Sequence, residues 1–124
     1  MAVITASATP THNLPGARFT ALATPSRGSA ETSVWQVEIA PGTPATPHTL
    51  TREEILVILS GRADVRIGTH RAQAFPGDAV VVPRDTPFEL ANTLDEPLQA
   101  LCCLPVGGQG RLSDGILFVP PWAQ

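Results

Sequence analysis

Short β-branched apolar runs, separated by turn-forming residues, are the feature of this sequence that most restricts its fold. Thirteen prolines and ten glycines are spread over 124 residues, and no long segment repeats apolar side chains with the period of a helix. The segments SVWQVEIA (33–40) and RADVRI (62–67) alternate polar and apolar residues, as half-buried strands do. Many short strands at this spacing predict an all-β sandwich or barrel.

Other runs are apolar at consecutive positions and predict strands of a different kind. EILVILS (54–60) and DAVVVP (78–83) have no alternation, which favours strands that are covered on both faces. Further strands are predicted at ARFTAL (17–22), PLQALCCLPV (97–106) and GILFVP (115–120). We therefore predict one domain, residues 1–124, with a barrel core at about 33–106. An N-terminal segment (1–32) and a C-terminal arm (107–124) flank this core.

Charge and hydropathy exclude several classes of function. The net charge is −3 and no basic patch exists to collect phosphates, so nucleic acid is not an expected partner. No apolar run approaches the roughly 20 residues that a membrane helix needs, and the first residues lack the basic start of a secretory signal. We therefore expect no membrane partner and a cytoplasmic location. Lysine is absent, which excludes catalysis by a lysine Schiff base.

The two cysteines, Cys102 and Cys103, are adjacent in a predicted strand. Neighbouring residues on a strand point to opposite faces, so a disulfide between them is not expected. Only one of the two can face the interior of a barrel.

Two segments carry residues at a spacing that suggests a site. In the first, Gly42 is followed by His48, Leu50, Glu54 and Gly61, with five, one, three and six residues between them. Side chains two apart on a strand share a face, so His48 and Leu50 are expected to point inward together. Glu54 begins the next strand and can reach the interior from the facing side.

The second segment begins at Gly77 and continues through Pro83, Asp85, Phe88 and Asn92, with five, one, two and three residues between them. The two segments together resemble the two motifs of the cupin superfamily, and the match extends over residues 42–92. The resemblance implies a cupin-type antiparallel jelly-roll β-barrel that is open at one end.

The sequence departs from the cupin motifs at three positions. Histidine is expected where Leu50 and Phe88 stand, and glycine is expected at Asp85. In the family, three histidines and one glutamate hold a metal inside the barrel. Only His48 and Glu54 of that ligand set remain here, and iron, manganese or zinc sites normally take three or more protein ligands. We therefore predict no cofactor, and at most a weakly bound divalent metal at His48 and Glu54.

The altered ligand set favours a small-molecule pocket over a metal site. With leucine and phenylalanine in place of two histidines, the interior is expected to be apolar where the family has polar ligands. A concave apolar cavity with few polar groups is typical of ligand sites. Burial should raise the pKa of Glu54, an ion pair with His48 would offset that rise, and the two side chains are the candidate catalytic acid and base. The predicted pocket-lining residues are Leu50, Leu56, Ile58, Phe88, Leu90 and Asn92.

Three functions remain open at this point. The first is a metal-poor cupin that binds a small apolar or aromatic metabolite, with or without proton-transfer catalysis. The second is a metal-dependent enzyme of the dioxygenase or isomerase type, in which Cys102, Cys103, His12 or His70 completes the ligand set. The third is a non-catalytic barrel that associates with another protein.

The C-terminal segment FVPPWAQ (118–124) is unusually apolar, and it is expected either to cover its own barrel or to reach a neighbour. Many cupins are dimers joined by sheet edges, so the resemblance implies a homodimer. Trp35 lies in an alternating strand and is expected in the core or an interface.

Overall fold

The computed structural model describes residues 2–124, so that Met1, the first residue of the predicted N-terminal segment, lies outside the described residues. These residues form twelve strands and two short 3₁₀ turns, at Pro25–Arg27 and Pro121–Ala123. The strands are β1 (His12–Leu14), β2 (Ala17–Ala23), β3 (Thr32–Ile39), β4 (His48–Leu50), β5 (Glu54–Ser60), β6 (Ala63–Ile67), β7 (His70–Ala74), β8 (Ala79–Val82), β9 (Phe88–Ala91), β10 (Leu98–Pro105), β11 (Gly110–Leu112) and β12 (Leu117–Phe118). Within residues 2–124, no helix has the length and apolar character needed to cross a membrane.

The strands form two antiparallel sheets of six strands each. In sheet A the order is β1-β2-β3-β10-β5-β8, and in sheet B it is β12-β11-β4-β9-β6-β7. The strands outside residues 33–106 join these sheets, because β1 and β2 extend sheet A and β11 and β12 extend sheet B. This arrangement confirms the predicted all-β, antiparallel jelly-roll fold.

Alternation along the central strand of sheet A shows how the core is built. In β10, the side chains of Leu98, Ala100, Cys102 and Leu104 are at most 2% exposed, whereas the side chains between them remain accessible. The register places Cys102 opposite Trp35 of β3, which is 3% exposed. The inner faces of both sheets therefore carry the apolar residues, and Trp35 belongs to the core.

The expectation that β5 and β8 are covered on both faces is wrong for the single chain. Their inner residues are buried, among them Leu56 at 4% and Val82 at 0% exposure. Their outer residues are accessible, and Leu59 and Val81 are 45% and 48% exposed. The continuous apolar runs arise because β5 and β8 carry apolar residues on the outer face of sheet A as well as on the inner one.

The C-terminal arm packs on its own barrel. The rings of Trp122 and Phe19 are stacked, with centroids 3.7 Å apart and planes inclined by 8°. The hydroxyl of Ser33 donates a hydrogen bond of 2.6 Å to the carbonyl of Ala123, and both residues are buried. Of the two expectations for this segment, the structure supports the one in which it covers the molecule's own core.

Candidate functional site

The first motif lies on β4 and presents two residues to the interior. His48 pairs directly with Phe88 of β9, so the two side chains share the inner face of sheet B with Leu50. The His48 and Phe88 rings meet edge to face, with centroids 5.6 Å apart. His48 is half-buried, and its Nδ1 lies 3.0 Å from the carbonyl oxygen of Thr46. The predicted inward orientation of positions 48 and 50 is therefore observed.

Glu54 comes from the opposite sheet, where it begins β5. It pairs with Val82 of β8 and shares the inner face of sheet A with Leu56 and Ile58. Its side chain is only 7% exposed, so sheet A carries a carboxyl group within an otherwise apolar surface.

Burial raises the pKa of Glu54 from its usual 4.5 to about 8. In residues 2–124 no arginine or histidine nitrogen lies within 4 Å of this carboxyl group, and no side chain donates a hydrogen bond to it. The ion pair with His48 considered from the sequence is therefore not formed. At neutral pH Glu54 is mainly a neutral acid, which can donate a proton to a hydrogen-bond acceptor.

Cys102 lies next to Glu54 on the inner face of sheet A, because it pairs with Leu56. Burial, the negative charge of Glu54 and the neighbouring Cys103 all raise the pKa of the Cys102 thiol, with burial the largest cause. Cys103 faces outward, and burial followed by the charge of Glu54 raises its pKa. Both cysteines are free, and the inward one is a buried thiol that keeps its proton at neutral pH because burial raises its pKa.

The predicted alternative metal ligands are not brought together. His12 and His70 lie on β1 and β7, at the edges of different sheets. Across the described residues, no three His, Cys, Asp or Glu side chains are grouped so that they could hold a metal ion. A donor set of His48 and Glu54 does not fit the coordination that the family's metal requires.

The residues predicted to line a pocket fill the interior of the barrel. The side chains of Leu50, Leu56, Ile58 and Phe88 are 1% to 4% exposed, and Leu90 is half-buried against the same core. Two surface cavities, of about 500 and 390 Å³, are lined by other residues. The predicted residues therefore lie together in the barrel interior, but they form a packed core and line neither of these two cavities.

Asn92 has a structural role that the sequence did not indicate. It is 1% exposed, and its amide nitrogen donates to the carbonyl oxygens of Ile39, Ala40 and Glu96. Its side-chain oxygen accepts a hydrogen bond from the backbone N–H of Leu94. Both amide hydrogens are used in fixing these loops, so Asn92 has no donor left for a ligand.

The backbone at Asp85 supports the alignment of the second motif. Asp85 has a φ of +57°, and it is the only non-glycine in residues 2–124 with a positive φ. The family has glycine at this position, which is the residue that adopts this conformation without strain. The Asp85 N–H donates to the carbonyl of Leu50 at 2.7 Å, so this turn joins the two motifs.

The outer face of sheet B holds a polar network that the site predictions missed. Arg62 donates hydrogen bonds to Thr93 and Asp64, at 2.8 and 3.3 Å. The hydrogen bond from Thr93 is the main cause that lowers the pKa of Asp64. The signal in the sequence was the alternation of RADVRI, which places its charged residues outward. Asp64 and Thr93 of this network line the larger of the two surface cavities.

Comparison with known proteins identifies a family. The profile of the cupin domain family matches residues 35–104, more than half of the chain. An uncharacterized protein from Methanocaldococcus jannaschii is 36% identical over 53 residues, which span 43% of this chain and 42% of that protein. The match thus extends over less than half the length of this relative.

Two solved structures resemble the whole fold. The polyketide cyclase RemF from Streptomyces resistomycificus superposes with a TM-score of 0.71 at 17% identity, over 95% of this chain and 82% of its own. A sugar phosphate isomerase of the cupin superfamily from Silicibacter pomeroyi gives 0.69 at 20% identity, over 81% and 67%. At these identities the similarity establishes the fold alone.

Proposed function

The chain belongs to the cupin family, and we propose that it binds a small, largely apolar or aromatic molecule between its two sheets, beside Glu54. The observation that carries this proposal is a carboxyl group, 7% exposed, with no hydrogen-bond or ion-pair partner in residues 2–124. A ligand that accepts a hydrogen bond from this carboxyl group would gain about 0.5–1.5 kcal/mol. Leu50, Leu56 and Phe88 around it suit a ring or an acyl chain.

Binding requires some core side chains to move, because they fill the interior. A ligand that selects an opened arrangement binds more weakly by the free energy of opening. The His48 ring is half-buried and packs on Phe88, so its displacement would open the space next to the inner face of sheet B.

Proton transfer is the chemistry that this pair of residues would support. A general acid works best when its pKa lies near the operating pH, and burial raises that of Glu54 to about 8. His48, on the facing sheet, would be the base. The cyclase and isomerase structures show only that proteins of this fold include enzymes. Both cysteines are free, which suits the reducing cytoplasm that we propose as the location.

The test uses a panel of phenol, indole, benzoate and hexanoate as probes, with binding measured by calorimetry. Glu54→Leu removes the carboxyl group, and Glu53→Leu is the matched control at an exposed neighbouring position. We expect at least one probe to bind the wild type and the control, and to bind Glu54→Leu at least about 10-fold more weakly, since one lost hydrogen bond is worth about 1.4 kcal/mol or more. If no probe binds, or if Glu54→Leu binds as tightly as wild type, the proposal fails.

A second candidate function is association with another protein. The packed interior favours it, because Leu50, Ile58 and Phe88 leave little space for a ligand. A metal-dependent enzyme is the least favoured, and elemental analysis of the purified protein decides it directly. A stoichiometric metal that resists chelation would move that function to first place.

A further inference from the structure

The larger surface cavity lies on the outer face of sheet B and has a volume of about 500 Å³. Strands β9, β6 and β7 contribute most of its lining, and sites for small molecules have volumes of about 300–1,000 Å³. Two cationic and two anionic side chains line it: Arg66, Arg71, Asp64 and Glu89. Three small apolar residues share the lining with them: Ala45, Ala72 and Ala91. The cavity therefore combines charged groups with room for a compact apolar group.

The register of sheet B leaves one positive charge in this cavity without a counter-charge. Arg66 of β6 is paired with Arg71 of β7 on one side and with Glu89 of β9 on the other. Glu89 forms an ion pair with Nε of Arg66 at 3.0 Å, and Asp64 forms one with Arg62 at 3.3 Å. Within residues 2–124, no carboxylate oxygen lies within 4 Å of the Arg71 guanidinium. The charge that remains for a ligand is therefore positive.

The direct pairing of Arg66 with Arg71 is unfavourable unless an anion lies near both. Like charges at directly opposed positions of an antiparallel strand pair are destabilising. Arg71 is exposed, and a guanidinium presents a planar fork of N–H donors that matches a carboxylate with two hydrogen bonds. An anion bound at this pair would replace the repulsion between the two arginines by attraction to both.

We propose that this cavity binds a small organic monoanion, with its carboxylate on Arg71 and Arg66 and its compact apolar group against the three alanines. The two carboxylates of the lining disfavour a more highly charged ligand. The hydrogen bond from Thr93 is the main cause that lowers the pKa of Asp64, so Asp64 is ionised at neutral pH. A dianionic phosphate ester would be repelled by Asp64 and Glu89 more strongly than a carboxylate.

This cavity is separate from the interior that the proposed function uses. Phe88 and Glu54 face the space between the two sheets, whereas Glu89 and Arg66 lie on the opposite face of sheet B. Either site can therefore be occupied without the other. We expect a Kd on the order of 1 mM at low ionic strength, which rises with added salt because the charges of the cavity are accessible to water.

A titration with isobutyrate, followed by two-dimensional ¹H–¹⁵N NMR of the full chain, tests the inference. Isobutyramide is the matched neutral probe of nearly the same shape, and sodium chloride at equal concentration controls for ionic strength. We expect isobutyrate up to about 20 mM to give saturable shifts in β6, β7 and β9. Isobutyramide should not shift these signals, and signals of β5, which contains Glu54, should not move with either probe. Methyl phosphate, a dianion at pH 8, should bind more weakly than isobutyrate.

Three variants separate the cavity from the general charge of the surface. Arg71→Gln should weaken isobutyrate binding at least about 10-fold, because it removes the unpaired guanidinium. Arg18→Gln is the matched control, since Arg18 is an exposed arginine on β2 of sheet A, and it should leave the Kd within about 2-fold. Ala91→Leu keeps both arginines but fills part of the cavity, so it should weaken binding at least about 5-fold.

Several results would overturn the inference. These are the absence of saturable shifts in the wild type, equal shifts with isobutyramide, or tighter binding of methyl phosphate. An affinity in Arg71→Gln equal to that of the wild type would show that Arg71 does not hold the anion. An unchanged affinity in Ala91→Leu would show that the anion pairs with an arginine outside the cavity.

Discussion

Glu54 has an ionisable side chain in a buried, apolar environment. The chain places its carboxyl group on the inner face of sheet A, between apolar neighbours, and provides no cation within 4 Å among residues 2–124. A carboxylate in such a place is costly, so the group keeps its proton and its pKa rises to about 8. The consequence is a specific dependence of stability on pH.

The Glu54→Gln substitution should make folding less sensitive to pH. The pKa of Glu54 is higher in the folded chain than in the unfolded one, so its contribution to stability is complete below pH 4.5 and is lost as pH rises toward 8. Between pH 5 and pH 8 we expect the wild type to lose about 3 kcal/mol relative to Glu54→Gln, at about 1.4 kcal/mol per pH unit. Urea unfolding across this range measures the difference.

Glu53→Gln is the matched control, because Glu53 is exposed next to Glu54 in the chain. Its stability should follow the wild-type pH dependence. Parallel curves for wild type and Glu54→Gln would contradict a buried neutral Glu54. A loss above about 3 kcal/mol in Glu54→Gln at neutral pH would instead indicate a buried pair that the substitution breaks.

Restoring the two missing histidines should create a metal site. Leu50 and Phe88 lie on the inner face of sheet B with His48, and Glu54 faces inward from sheet A. The Leu50→His and Phe88→His double variant would therefore present three histidines and one carboxylate. We expect it to bind Zn²⁺ or Ni²⁺ and to gain thermal stability from the metal, as measured by calorimetry with and without the ion.

The control for this experiment adds His48→Ala to the double variant, which removes one ligand and should weaken metal binding by at least about 10-fold. A folded double variant that binds no metal in excess zinc or nickel would show that these positions do not converge.

At the level of elements, the C-terminal 3₁₀ turn packs against strands β2 and β3 of sheet A. Its Trp122 stacks on Phe19 of β2, and the carbonyl of Ala123 accepts a hydrogen bond from Ser33 of β3. The apolar character of FVPPWAQ (118–124) predicted that this segment covers either its own barrel or a neighbouring molecule. In the structure, the segment packs on β2 and β3 of its own barrel.

Trp122→Ala should destabilise the fold by about 2 kcal/mol, below the 3–5 kcal/mol of a fully buried tryptophan because this side chain is only half-buried. Val119→Ala, on the same arm but 37% exposed, should cost less than about 1 kcal/mol. Urea unfolding gives both values. Equal, small losses for the two variants would show that the arm does not stabilise sheet A.

At the scale of the whole molecule, the two sheets have different outer surfaces, and this asymmetry connects stability to concentration. If two copies of the chain meet at the outer apolar residues Val57, Val81 and Leu101 of sheet A, the folded state is stabilised by mass action. We expect Tm to rise by roughly 5 °C for a 100-fold increase in concentration above Kd. Differential scanning calorimetry measures the shift, and Leu101→Glu should show none. A wild-type Tm that does not change with concentration would contradict the dimer.

The sequence by itself determined most of the longer strands and the position of the motifs, because both depend on local chemistry. Alternation and turn residues located β3, β5, β6 and β10 to within about two residues, as expected for strand boundaries. Glycine-type positions in the motifs also have local causes. Gly61 has a φ of +80°, a turn conformation that glycine adopts without strain.

Only the tertiary structure decided which of these residues meet and what they leave exposed. The register of β10 against β3 and β5 turned Cys102 inward and Cys103 outward, although the two are chemically identical in the sequence. The amide of Asn92 donates to the carbonyls of two separate chain segments, at Ile39 and Ala40 and at Glu96. Such contacts join residues far apart in the chain, so local patterns do not encode them. For the same reason, the packed interior and the exposed apolar residues of β5 and β8 depend on the assembly of both sheets.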